Sequence, residues 1–144
     1  MRIFKPQLKK TIMTKQEKNK ALVLEAFETA FNNRDQSAYE RFWSPNYIQH
    51  SAHIEPGREG LQKIMSSTPA NMKYEHALIL AEGDFVMVHG RYSNTGLPRP
   101  WVIVDILRIE NGLLAEHWDV IQDEVTAEES KSGRPMFGEG FFRT

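Results

Sequence analysis

The sequence predicts an α+β domain, with three helices in its first half, antiparallel strands in its second, and the helices packed on one face of the sheet. Two observations carry this prediction. Apolar residues recur at helical spacing up to about residue 66, then alternate or cluster in β-branched runs from residue 72 onward. Residues 101–121 also form two arms rich in β-branched and aromatic side chains around Asn111-Gly112, the strongest short-range hairpin signal. At 144 residues the chain is one domain by length, able to bury about two-thirds of its unfolded surface.

The first 13 residues carry four positive charges and no negative one. They read as a flexible basic leader, with a nucleic-acid or membrane arm as the competing reading. A helix is expected over about 14–32. Thr14 is its N-cap and Glu17 its capping-box partner. Ala21, Leu22, Leu24, Ala26, Phe27, Ala30 and Phe31 form its apolar face. Residues 36–43 read as a second short helix that turns Tyr39, Phe42 and Trp43 into the core. Ser44-Pro45-Asn46 is a stop and turn. Tyr47 to His50 reads as a short strand, residues 51–57 as a loop, and Gly57 to about Ser66 as a third helix with Leu61, Ile64 and Met65 inward. Strands follow at 72–81 and 85–92, then a loop and the long hairpin. The main domain thus spans 14–125. A tail over 126–144, polar and then aromatic, is expected to pack on the domain or on a partner subunit.

Composition removes several function classes. The net charge of −1 provides no field to gather nucleic acid or an anionic membrane. With no cysteine there is no disulfide, no thiolate metal site and no Cys nucleophile, and a reducing cytoplasm is the expected location. No apolar run approaches the roughly 20 residues that span a bilayer. The N-terminus has no apolar core of the secretory type.

Chemistry is concentrated in the hairpin, where Asp105, His117 and Asp119 interrupt apolar arms. A two-residue Asn111-Gly112 turn would pair Asp105 with Trp118. A three-residue Glu110-Asn111-Gly112 loop would pair Asp105 with His117 and Ile103 with Asp119. The second register is expected, because it gathers the three ionisable groups on one face with Trp101, Ile103 and Leu107. Val102, Val104, Ile106, Trp118 and Val120 then take the other face. A carboxylate facing an apolar cavity has its pKa raised by desolvation, which suits a general acid or base near neutral pH. His50, His53 and His89, with Tyr47 and Gln49, lie in or beside neighbouring strands. His89 reaches the pocket if Val86 and Val88 face outward. A set of His50, His53, Asp105 and His117 could ligate a metal, but His50 and His53 straddle a strand-to-loop junction that fixes no geometry, so no metal and no cofactor is expected. Gly57-Arg58-Glu59-Gly60 is not a phosphate loop, and no Gly-x-Ser-x-Gly elbow occurs.

Tyr47 to His50, Pro56 to Gly60, Gly83 to His89, Val104 to Gly112 and Glu116 to Gln122 together resemble the SnoaL-like, polyketide cyclase-like branch of the nuclear transport factor 2-like superfamily. The resemblance covers about residues 17–125. It implies a cone-shaped, curved mixed sheet with three helices folded over it, enclosing one pocket. It places Asp119 at the acid/base position of the cyclases, with Asp105 where their pattern carries a His. It also implies a homodimer through the outer sheet face. The expected function is cofactor-independent acid/base chemistry (aldol cyclisation, isomerisation or dehydration) on a small hydrophobic carbonyl compound. Asp119, His117, Asp105 and His50 would be catalytic. Tyr47, His53, His89, Trp101, Ile103 and Leu107 would bind the substrate. The alternative is a non-catalytic protein of the same fold that binds small ligands.

Overall fold

The computed structural model describes residues 12–138. The basic leader up to residue 11 and the aromatic end of the tail lie outside the described residues. Helix α1 (Lys15–Phe27) runs into a π-helical turn (Glu28–Asn32), followed by α2 (Ala38–Phe42), strand β1 (Trp43–Gln49) and α3 (Gly57–Ser67). Four strands complete the domain: β2 (Lys73–Glu82), β3 (Phe85–Ser93), β4 (Trp101–Glu110) and β5 (Leu113–Asp123). They form one open sheet in the order β1-β5-β4-β3-β2. β1 runs parallel to β5 and the other neighbours are antiparallel, so the sheet is mixed. No helix among the described residues is long and apolar enough to cross a membrane.

The start of α1 follows from its sequence. The Thr14 hydroxyl accepts from the Glu17 amide, and the Glu17 carboxylate accepts from the Thr14 amide. Two of the helix's orphan donors are thereby satisfied. The buried stripe is Val23, Ala26, Phe27, Ala30 and Phe31, and Ala21 is exposed, which corrects the expected face by one position. The π-helical turn carries Asn32 to the edge of β2. There its side chain accepts from the Tyr74 amide at 2.8 Å and donates to the Tyr74 carbonyl at 3.0 Å. Phe27, Phe31, Trp43, Tyr74 and Tyr92 stack between helix and sheet, with ring centroids 4.8–6.3 Å apart.

The expected stop at Ser44-Pro45-Asn46 is instead part of β1. Pro45 has no N–H to donate to a ladder, and the pairing jumps from Trp43–Leu114 to Ile48–Glu116. Three residues therefore bulge out of an edge strand, and the strand continues into Tyr47 and Gln49.

The hairpin differs from both expected registers. Asn111 (φ +51°) and Gly112 (φ +73°) make a two-residue turn that pairs Glu110 with Leu113. The ladder then slips by one residue. Ile109 pairs with Leu114, Arg108 pairs with Glu116, and Ala115 has no partner on β4. This bulge turns the register that would join Asp105 to Trp118 into one that joins Asp105 to Asp119, with Leu107 opposite His117. The predicted face survives although the predicted pairs do not, because turn and bulge together restore the parity.

The described part of the tail folds back toward β3. Phe137 is buried, its ring lies 5.4 Å from that of His89, and the Arg91 guanidinium sits 4.9 Å above it. Arg99 pairs with Glu129 at 2.8 Å, and the Met136 sulfur accepts from the Val125 amide at 3.3 Å.

Candidate active site

Between the concave face of the sheet and the helices lies a cavity of about 320 Å³. Its floor is β4 and β5, through Ile103, Asp105, Leu107, His117, Asp119 and Ile121. One wall is α3 with Met72, and another is Phe27, Phe31, Trp43 and Tyr47. Trp101, Leu97 and His53 line it as well, with the His53 and Trp101 rings 5.0 Å apart. Apolar side chains supply most of this surface, as in pockets for small organic ligands.

The floor carries the ionisable groups. Asp105 and Asp119 are direct cross-strand partners, and His117 stands diagonally beside Asp105. The His117 Nε2 and Asp105 Oδ1 atoms are 2.7 Å apart, with His117 5 % and Asp105 2 % exposed. His117 Nδ1 is 2.6 Å from Gln49 Oε1. Burial is the largest influence on Asp105 and pushes its pKa up from the ordinary carboxylate value. The neighbouring Asp119 charge adds to that push, and the His117 hydrogen bond and charge oppose it. The Tyr92 phenol beside Asp105 also opposes the rise as a hydrogen-bond donor, although no bond of full geometry reaches the buried Oδ2. Burial likewise lifts the Tyr47 and Tyr92 phenols well above their ordinary range, so both remain protonated donors.

The structure brings together Asp105, His117, Asp119, Tyr47, Trp101, Ile103 and Leu107, with His53 exposed beside Trp101. It does not bring His50 or His89 to them. His50 is exposed on the outer side, stacked on Trp118 with ring centroids 4.8 Å apart, its Nε2 2.8 Å from Glu116 Oε1. It follows Gln49 at the end of β1, where alternation turns it away from the cavity. Val86 and Val88 are fully buried, so His89, the next residue after Val88, takes the opposite face with Met87 and meets Phe137 there. The metal set built on His50 is therefore not assembled. The donor atoms that could converge on an ion are those of Asp105, His117 and Asp119, all within 4.8 Å of one another.

Sequence reasoning gave Gln49 no role in the site, and it holds the site together. Its signal was its position two residues after Tyr47 on a strand, which places both on one face. Ser51, Tyr92 and the inner side of α3 also went unassigned to the cavity, because their inclusion depends on how the helices close over the sheet.

An open, helix-covered mixed sheet with an acid/base cluster on its concave face is the nuclear transport factor 2-like architecture. Within that class, the model of the SnoaL-like domain family matches residues 23–117, more than half of the chain, and the chain belongs to that family. Among solved structures, AclR, a putative hydroxylase from Streptomyces galilaeus, is 30% identical, covering 73% of this chain and 79% of that one with a TM-score of 0.59. An NTF-2 like protein of unknown function from Burkholderia xenovorans is 25% identical, covering 74% and 84% of the two chains with a TM-score of 0.61. A putative polyketide cyclase from Bacillus cereus is similar in fold, with a TM-score of 0.65 at 17% identity over 79% and 81%. A search of curated proteins gave no match.

Proposed function

We propose that this SnoaL-like protein is an enzyme performing cofactor-independent acid/base chemistry on a small hydrophobic carbonyl compound. The observation that carries the reading is the placement of Asp105, His117 and Asp119 together on the floor of an otherwise apolar cavity. Asp119, the less buried carboxylate, acts as the base that removes a proton α to the carbonyl. The buried His117–Asp105 pair holds a proton beside the developing enolate and stabilises its charge. In a water-poor cavity such electrostatic stabilisation is usually the largest contribution to the rate. Aldol cyclisation, isomerisation and dehydration all begin with this step. The names given to the Bacillus cereus and Streptomyces galilaeus proteins are consistent with small-molecule chemistry on this fold.

The test needs no knowledge of the natural substrate. Protein in D₂O is mixed with 2-tetralone, and loss of the α-proton signal is followed by NMR. The expected result is exchange above the buffer rate, falling about 10²- to 10⁴-fold in Asp119→Asn. Equal exchange by the variant would refute the role of Asp119. Binding without exchange would instead establish the ligand-binding alternative.

We also propose that the outer sheet face makes a homodimer. Leu80, Met87, Ile106 and Trp118 form one cross-strand row over β2, β3, β4 and β5. Phe85 and Val120 extend it, and Leu80 and Val120 are each 68% exposed. A contiguous apolar patch of this kind marks an interface in a soluble protein. Val102, expected in that patch, is buried and contributes little exposed surface.

A further inference from the structure

Gln49 lies behind the cavity wall and makes three hydrogen bonds. Its Oε1 accepts from the Ser51 backbone amide at 2.9 Å and faces His117 Nδ1 at 2.6 Å, while its Nε2 faces the Tyr47 hydroxyl at 3.1 Å. A backbone N–H can only donate. The opposite amide orientation would set two donors against each other at Ser51, so the orientation is fixed by chemistry. Two consequences follow. His117 Nδ1 must carry a hydrogen, so the only proton it can exchange lies in the Nε2–Asp105 bond. The Tyr47 oxygen receives the Gln49 N–H, so its own hydrogen is available to another acceptor. Among the described residues that hydrogen has no acceptor, and Tyr47 lines the cavity.

We propose that Gln49 is a positioning residue that sets the direction of hydrogen bonding in this site, holding His117 in its Nδ1–H form and making the Tyr47 hydroxyl the donor to the ligand's carbonyl oxygen. Burial keeps the Tyr47 phenol protonated, in agreement with a donor role. The Tyr47 part of this inference rests on the reading of the cavity as a carbonyl site. The His117 part does not, because it concerns the protein without ligand.

Two measurements test it. In ligand-free, ¹⁵N-labelled protein, imidazole correlation spectra assigned with His117→Asn should show Nδ1 of His117 protonated from pH 6 to pH 9. Gln49→Glu keeps the acceptor and should keep that signature. Gln49→Met removes it and should admit the Nε2–H form. An unprotonated Nδ1 in the wild type at pH 9 would overturn the assignment. For the ligand, binding of 2-acetylnaphthalene is compared with that of 2-ethylnaphthalene, which has no oxygen. Tyr47→Phe should weaken the ketone about three- to tenfold, the value of one hydrogen bond, and leave the hydrocarbon within about twofold. Gln49→Glu should lose the same preference, because Tyr47 then donates to the new carboxylate. A wild type with no ketone preference, or a Tyr47→Phe variant that retains it, would overturn the donor role. Melting curves confirm that each variant is folded. Failure of the proton-exchange assay would leave the His117 signature untouched, so the two readings fail separately.

Discussion

Replacing Asp105 and His117, singly and together, measures the interaction at the centre of the site. At 2.7 Å, two full charges in an effective dielectric of about 20 attract by about 6 kcal/mol, an upper bound before desolvation. A neutral hydrogen bond contributes only about 1 kcal/mol, and one to a charged group about 1.5–3 kcal/mol. Both side chains are almost wholly buried, so removing one partner leaves the other unsatisfied. Asp105→Leu alone should cost about 3–5 kcal/mol. Asp105→Leu with His117→Phe replaces the pair by apolar groups and should recover much of that loss. The coupling energy should therefore be about 2–5 kcal/mol. Urea unfolding at pH 7, followed by the fluorescence of Trp43, Trp101 and Trp118, gives all four stabilities if the slope with denaturant is unchanged. A coupling below about 1 kcal/mol would refute the shared-proton pair.

The sign of the pH dependence follows from the same residue. Burial raises the Asp105 pKa above its unfolded value near 3.8, so the folded state holds that proton more tightly. The stability this contributes is fully present below pH 3.8 and is lost as pH rises through the folded pKa. Relative to Asp105→Asn, the wild type should lose stability as pH rises above 3.8 toward and through the raised folded pKa. A difference that is flat or rises over that range contradicts the direction. For the outer face, Leu80→Lys with Val120→Lys should convert a dimer into a folded monomer in light scattering. A wild type that is monomeric at about 100 µM would remove the dimer, since standard interfaces of about 800 Å² per partner normally hold at that concentration.

The element order was legible because each element carries its own period and punctuation. The Thr14–Glu17 box, the β-branched arms of β4 and β5, and Asn111-Gly112 all do locally what the fold requires. The alternation of a strand likewise put Asp105, His117 and Asp119 on one face. What escaped were features set by neighbours. Ala115 is small and apolar and gives no local sign of a bulge, yet it decides whether Asp105 opposes Trp118 or Asp119. Pro45 looks like a stop and is instead accommodated at an edge strand, where a missing donor costs little. His50 was grouped with the site because it adjoins Tyr47 and Gln49, and a single step of alternation carried it to the opposite face.

Stability alone does not account for the polar groups on the cavity floor. Asp105 and Asp119 face each other across the ladder, where like charges oppose pairing. Burial pushes the Asp105 pKa up in spite of its His117 and Tyr92 hydrogen-bond partners, and apolar residues of similar volume would fill the same space at no electrostatic cost. The surroundings nevertheless organise these groups: Gln49 fixes one side of His117, Asp105 takes the other, and the Ser51 amide fixes Gln49. A chain of oriented hydrogen bonds ending in an apolar cavity resists reorganisation when charge appears there, and that property matters to a developing enolate and not to a folded core. The unfavourable placement of Asp105 and Asp119 is thus the physical reason to assign the cavity a chemical task.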